Sequence, residues 1–269
     1  MNRILDKILS NLYIIFKMNN FNQDKKNMDY TNMDHTNIIY QQKNAYLMDF
    51  NRMRTDDYHA KLEKNSVQPY FEKLEKHLIS HIEKSSYVVG CVAWLTNNNI
   101  IEALENIDGV KIIINKEEYL NPNMEIGQKF FYQCLRGKYN EIPDMFNSKC
   151  KCCEKKNILK CPNFCKIFGN ISENGSNINM GAILTCGIVN NYSKMHHKFL
   201  IFFNDKIEPM GVWTGSYNLS KTSNFSLENA LYITDKDVIM EYIKEFLAIY
   251  PFSESYNWKS GILCKSIKI

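Results

Sequence analysis

The run Met195-His196-His197-Lys198-Phe199-Leu200-Ile201-Phe202, followed by Val212-Trp213-Thr214-Gly215-Ser216-Tyr217-Asn218-Leu219, decides the reading of this chain. His196 and Lys198 open an apolar, β-rich segment. Side chains alternate faces along a strand, so these two point one way and His197 points the other. A Gly-Ser-x-Asn element closes the second apolar run, and Glu228-Asn229-Ala230 opens a third. Imidazole, ammonium, hydroxyl, amide and carboxylate are thereby expected at one end of a sheet. That set suits attack on a phosphodiester: a nucleophile or acid, a cation for the phosphoryl oxygens, neutral donors, and a carboxylate to orient the imidazole. A second His-x-Lys, His59-Ala60-Lys61, lies in a charged segment with no strand run and no Gly-Ser-x-Asn after it, and reads as a solvated face. Gly175-Ser176-Asn177 has the wrong spacing and reads as a turn.

The order of strand, His196-x-Lys198, turn, strand, Gly215-Ser216-x-Asn218 and a strand with Glu228 resembles the phospholipase D superfamily. The resemblance extends from about Val67 to Phe252. It is to the single-motif branch, which includes bacterial Nuc-type endonucleases and mitochondrial cardiolipin hydrolase-like proteins. The family signature departs at one point: its Asp falls at position 203, where this chain has Phe203, and Asp205 follows two residues on, on the same strand face. The family Asp is a supporting residue, so its replacement bears on rate and site rigidity more than on reaction class. The resemblance implies that His196 is the nucleophile and forms a phosphohistidine. Lys198 and Asn218 would hold the phosphoryl oxygens, Ser216 would add a hydrogen bond, and Glu228 would hold the imidazole. A second histidine must serve as acid. One motif per chain therefore implies an isologous homodimer, with both His196 side chains at one cleft. No metal or other cofactor is implied for catalysis.

The chain of 269 residues is long enough for one sizeable domain with extensions. Its formal net charge of +4 is too small to announce a nucleic-acid binder by itself. No apolar run approaches the ~20 residues of a membrane span. Ile4, Leu5, Ile8, Leu9, Leu12, Ile15 and Phe16 recur at helical spacing within residues 1–17. That stripe reads as a short helix packing on the domain or a partner, with weak peripheral membrane contact as the other reading. From Met18 to about Asn65 the chain is polar and Asn-rich, and buries too little apolar surface to offset ordering entropy. Residues 1–65 are therefore expected to be an arm outside the folded domain. The segment does not read as a secretory signal, which places the protein inside the cell, in the cytoplasm or at a membrane.

The domain is expected at 66–254, with a tail at 255–269. Pro69 to Lys84 reads as a helix, Tyr87 to Leu95 as a buried strand, Asn98 to Asn106 as a helix, and Val110 to Asn115 as a strand. Short connections favour a parallel pair with a crossover. Met124 to Leu135 reads as a third helix, with Phe130, Phe131 and Leu135 inward. Strands at Ala182–Val189, His196–Phe203, Gly211–Thr214 and Ala230–Thr234 follow, and Asp235 caps a last helix. The fold class is α/β: a mixed β-sheet with helices on both faces and a Cys-rich insert at 148–167. Trp94, Trp213, Phe199, Phe202 and Phe203 read as core, whereas Tyr217 sits where it could stack against substrate.

The insert holds five of the nine cysteines. Cys150 and Cys153 form a C-x-x-C pair, with Cys152 able to replace Cys153. Cys161 and Cys165 supply the other half of a structural zinc site, Zn²⁺ taking four thiolates at about 2.3 Å. Cys91, Cys134, Cys186 and Cys264 read as core residues. The insert is also basic, with Lys149, Lys151, Lys155, Lys156, Lys160 and Lys166, which suits a polyanion. A nuclease is the leading expectation. A lipid phosphodiesterase acting on anionic phospholipid, and a binding module without turnover, are the alternatives.

Overall fold

The computed structural model describes residues 66–121, 129–153, 157–169, 171, 180–189 and 194–258. The amphipathic stripe, the Asn-rich arm and Cys264 lie outside the described residues.

Strand β1 (Val67–Tyr70) leads to helix α1 (Leu74–Glu83), β2 (Tyr87–Val92), α2 (Asn98–Glu105), β3 (Gly109–Asn115) and α3 (Lys129–Glu141). The insert contributes α4 (Pro162–Phe168). There follow β4 (Ile183–Cys186), β5 (Lys198–Phe203), β6 (Pro209–Gly215), β7 (Ala230–Ile233), α5 (Lys236–Ile249) and β8 (Glu254–Ser255). The eight strands form one sheet in the order β1-β7-β6-β5-β2-β3-β4-β8. β3 runs parallel to β2 and β4, and the other pairings are antiparallel. The mixed α/β sheet expected from the sequence is thus the observed fold. β2 and β3 are buried throughout, which is why they read as continuous apolar runs rather than alternating ones.

Each sheet face has its own core. Val88, Val92, Leu200, Phe202 and Trp213 pack under α1, α2 and α3, through Leu78, Ile82, Ile101, Leu104 and Leu135. Val89, Cys91, Phe199, Ile201 and Phe203 pack under α5 and the insert, through Ile239, Ile243, Phe246, Cys161, Phe164 and Phe168. Asp235 accepts from the backbone N–H groups of Asp237 and Val238, capping α5 as its sequence position suggested.

Several local expectations are corrected. Residues 67–70 are an edge strand, and helix α1 starts only at Leu74, because Pro69 and its neighbours pair with β7. Phe130 and Phe131 are 81% and 46% exposed rather than inward; α3 buries Leu135 and Tyr139 instead. Val238 is on the outer side of α5. Cys134 is exposed and Cys186 half-buried, so of the scattered cysteines described only Cys91 is a core residue. Ordered structure continues past 254: β8 pairs with β4, and Tyr256 and Trp258 are buried. Among the described residues no helix is long and apolar enough to cross a membrane.

Lys111, fully buried in β3, holds the ends of the insert. It donates to Asp144 Oδ1 at 2.7 Å and to the Gly181 carbonyl at 2.8 Å. An unpaired ammonium there would be prohibitively costly, so the carboxylate partner is obligatory.

On the other face His81 of α1 stacks on Tyr232, with ring centroids 3.8 Å apart, and its Nε2 lies 3.1 Å from Tyr70 Oη. Burial, with Lys84 and His77 nearby, depresses its pKa to about 4. The unfolded chain, with an ordinary histidine near 6.5, binds the proton more readily. The stabilisation is therefore present above pH 6.5 and lost as pH falls toward 4, by about 2 kcal/mol at pH 5. Thermal melts at pH 7.5 and pH 5 should show this loss in the wild type and a smaller one in His81→Gln. Identical pH dependence in the two proteins would rule His81 out as its source.

Candidate active site

The site lies where the C-terminal ends of β2, β3 and β6 meet the N-terminal ends of β5 and β7. The register sets this: Val92 faces Lys198, Phe199 faces Thr214, and Gly215 faces Ala230. The loop after β6 then crosses the start of β5. Leu219 bridges to Leu95, and its carbonyl accepts from the N–H groups of Thr96 and Asn97 at 2.8 and 3.0 Å. That crossing holds Gly-Ser-x-Asn over His196 and Lys198. Gly215 is required there, because a Cβ would lie 2.2 Å from the Asn229 carbonyl oxygen.

His196 and Lys198 share a face as expected, although β5 begins only at Lys198. Lys198 Nζ lies 3.3 Å from His196 Nδ1 and donates to the His196 carbonyl at 3.1 Å. His197 points the other way, its Nε2 3.0 Å from Glu245 Oε1 on α5. Partial burial lowers the His196 pKa, and the positive charges of Lys198 and Lys194, with His197, lower it further. Burial also lowers Lys198, with Glu228 opposing. The imidazole is therefore held neutral and nucleophilic below the pH at which a free histidine would be.

Glu228 does not hold the imidazole in this chain as the family resemblance implied. Its Oε2 accepts from Ser216 Oγ, and Ser216 Oγ accepts from the Asn229 N–H at 3.0 Å. The carboxylate thus orients the hydroxyl and lends its charge to Lys198. Asn218 Oδ1 is buried and receives no hydrogen bond, an arrangement that costs about 1–3 kcal/mol and leaves a polar group free for a ligand. Tyr217 is not a stacking residue: it is 2% exposed, and its hydroxyl donates to Asn224 Oδ1 at 2.5 Å. Behind it, Glu75 accepts from Asn97 Nδ2 and Asn99 Nδ2, each at 2.6 Å, and from Asn224. Burial would raise the Glu75 carboxyl, but the amides of Asn99, Asn97 and Asn224 outweigh it and hold the group below its ordinary value.

The sequence reading missed Trp94, Asn115 and Glu117. Trp94 is half-buried, with its ring centroid 5.3 Å from that of His196. Its Nε1 donates to Glu117 Oε1 at 2.9 Å. The same oxygen accepts from Asn115 Nδ2 at 2.6 Å, and Asn115 Oδ1 accepts from the Met195 N–H at 3.1 Å. A polar pair closing the buried β3 run was the available signal.

Phe203, at the family's Asp position, is fully buried on the opposite sheet face from Lys198, 5.5 Å from the Phe168 ring. It stands at the far end of β5, roughly 17 Å from Lys198 at the usual rise per residue. Its side chain belongs to packing with the insert and not to the site. Asp205 lies in the following turn, not on the strand.

The insert gathers Cys150, Cys152, Cys153 and Cys161, whose sulfurs all lie within 4.8 Å of one another. Cys165 is not among them; its thiol faces the Leu159 carbonyl at 3.2 Å, because α4 turns it away from Cys161. A ZnS₄ tetrahedron with bonds of about 2.3 Å has sulfurs about 3.8 Å apart, so the four thiols fit a soft ion.

Residues 78–250 match the family described as cardiolipin synthase, PLD-like domain. The chain belongs to the phospholipase D superfamily. Protein L381 of Acanthamoeba polyphaga mimivirus, itself uncharacterized, is 59% identical over 221 residues, covering 82% of this chain and 78% of the viral protein. Among solved structures, NucT from Helicobacter pylori is 16% identical with a TM-score of 0.43, covering 70% of this chain and 98% of its own. Nuc from Salmonella typhimurium, a phospholipase D family member, is 16% identical with a TM-score of 0.41, covering 72% and 98%. Membership of this superfamily makes the chain one of a class of hydrolases acting on phosphodiester bonds.

If neighbouring cations depress His196, removing the nearest should raise it. NMR titration of the histidine ring protons should show the His196 pKa move up in Lys198→Met, toward the ordinary 6.5. An unchanged or lower value would mean that Lys198 does not govern its protonation.

Proposed function

We propose that this phospholipase D-like chain is a nuclease that cleaves phosphodiesters through a phosphohistidine on His196, at the interface of a homodimer. The observation that carries the reading is the pairing of His196 with Lys198 beneath the Gly-Ser-x-Asn loop, while His197 is turned away to Glu245. Neutral His196 of one chain attacks phosphorus, and the alkoxide leaves with a proton from the protonated His196 of the other chain. The second histidine then takes a proton from water, which attacks the phosphohistidine and frees the first. The bound phosphate anion restores the second imidazole's affinity for its proton, against the depression by neighbouring lysines. Lys198 and Asn218 hold the phosphoryl oxygens, and Ser216, oriented by Glu228, donates to them. Lys194, close enough to depress His196, adds positive charge at the cleft, which favours a polyanionic substrate.

His196→Ala should abolish hydrolysis of single-stranded DNA or RNA, while His197→Ala keeps most of it. Sedimentation should find the active species dimeric. Equal losses in both variants with folding intact, or a fully active monomer, would contradict the reading. Hydrolysis of anionic phospholipid vesicles in place of nucleic acid would transfer the mechanism to a lipase.

The Cys150, Cys152, Cys153 and Cys161 group would hold a structural zinc ion that anchors the insert and takes no part in the chemistry. Elemental analysis should find about one equivalent of zinc per chain, reduced in Cys152→Ser and retained in Cys165→Ser. Equal zinc loss in the two variants would refute this ligand set. Brief exposure to chelator should leave turnover intact.

A further inference from the structure

Two tryptophans of this domain are treated in opposite ways. Trp213 is 1% exposed, and its indole N–H is buried with no hydrogen-bond partner. Trp94 is half-buried at the candidate site, and its N–H is fully engaged by Glu117. A packing residue hides its ring; Trp94 keeps part of its ring open and fixes its polar edge. The pin is itself anchored, since Glu117 is held by Asn115, and Asn115 is 3% exposed and bonded to the backbone ahead of His196. The ring is therefore pre-organised, and binding against it costs little further ordering.

Its position defines a ligand. Lys198 Nζ lies 5.8 Å from the Trp94 ring centroid, and the His196 ring stands at 84° to the indole plane. A phosphate held by Lys198 and attacked by His196 thus has a fixed aromatic surface as its immediate neighbour. Resting on the nuclease reading above, we infer that Trp94 forms a base-stacking subsite beside the scissile phosphate, which selects single-stranded nucleic acid. A nucleobase offers a flat π-face one nucleotide from the phosphate, and any base can stack on an aromatic ring. In a duplex that face is already covered by its neighbours, so only an unpaired base can use the subsite. A phospholipid presents flexible glycerol beside its phosphate and gains less from a flat wall.

The test compares a single-stranded oligonucleotide with one of the same length carrying tetrahydrofuran abasic residues. The wild type should cleave the base-bearing strand with kcat/KM about tenfold or more above the abasic strand. Trp94→Leu should lose about tenfold more on the base-bearing strand than on the abasic one, so that the preference collapses. Trp94→Phe should keep part of it, which separates stacking from loss of fold. Equal loss on both strands in Trp94→Leu would show that the indole only supports His196, and would overturn the subsite. A wild type that cuts both strands equally would overturn it too, while leaving the nuclease reading standing. A wild type that cuts neither strand but hydrolyses phosphatidylglycerol vesicles would remove both.

Discussion

The antiparallel pairing of β5 with β2 is the constraint from which the rest of the site follows. It sets Lys198 opposite Val92, so the start of β5 meets the exits of β2 and β3. Had β5 run parallel to β2, its first residues would lie at the other end of the sheet, away from Trp94 and Asn115. Because β6 and β7 continue the antiparallel meander, Gly215 and Ala230 arrive at the same end. The chemistry is thus drawn from five strands but located by one register. A one-residue slip would turn His196 and Lys198 to the face that His197 now occupies.

Two polar networks hold this end of the sheet from opposite sides. Glu75 gathers the amides of Asn97, Asn99 and Asn224 behind the Gly-Ser-x-Asn loop, and Glu117 gathers Asn115 and Trp94 beside His196. Each carboxylate is compensated by neutral donors rather than by a lysine. That leaves the cations Lys198 and Lys194 free of strong internal pairing and available to an anionic substrate. The opposite half of the domain uses ion pairs instead, at Lys111–Asp144 and Lys116–Glu254, where the task is to secure chain segments.

The mixed sheet was legible because its central strands are long apolar runs between clear turns, and because His-x-Lys and Gly-Ser-x-Asn carry face information by spacing alone. What escaped is what spacing does not encode. β1 looked helical, since Val67, Tyr70, Phe71 and Leu74 fit a helical stripe that only pairing with β7 breaks. Tyr217 and Trp94 exchanged expected roles because a residue's exposure at a strand end depends on which loop covers it. Cys152 replaced Cys165 because α4 starts at Pro162 and carries the second thiol of that pair away from the first. Glu228 lay within reach of Ser216 only through the β6–β7 register.

The Lys111 clasp has a consequence for how this protein can vary. By joining Asp144 to Gly181 it fixes the span between the two points where the chain leaves and re-enters the sheet. Everything between becomes a closed ring hung from a single ammonium. Doubling the length of such a ring costs only about 0.6 kcal/mol of closure entropy. Relatives can therefore lengthen, shorten or re-equip that segment at little cost to the sheet, provided that an apolar group still covers Phe203 and the lysine keeps its carboxylate.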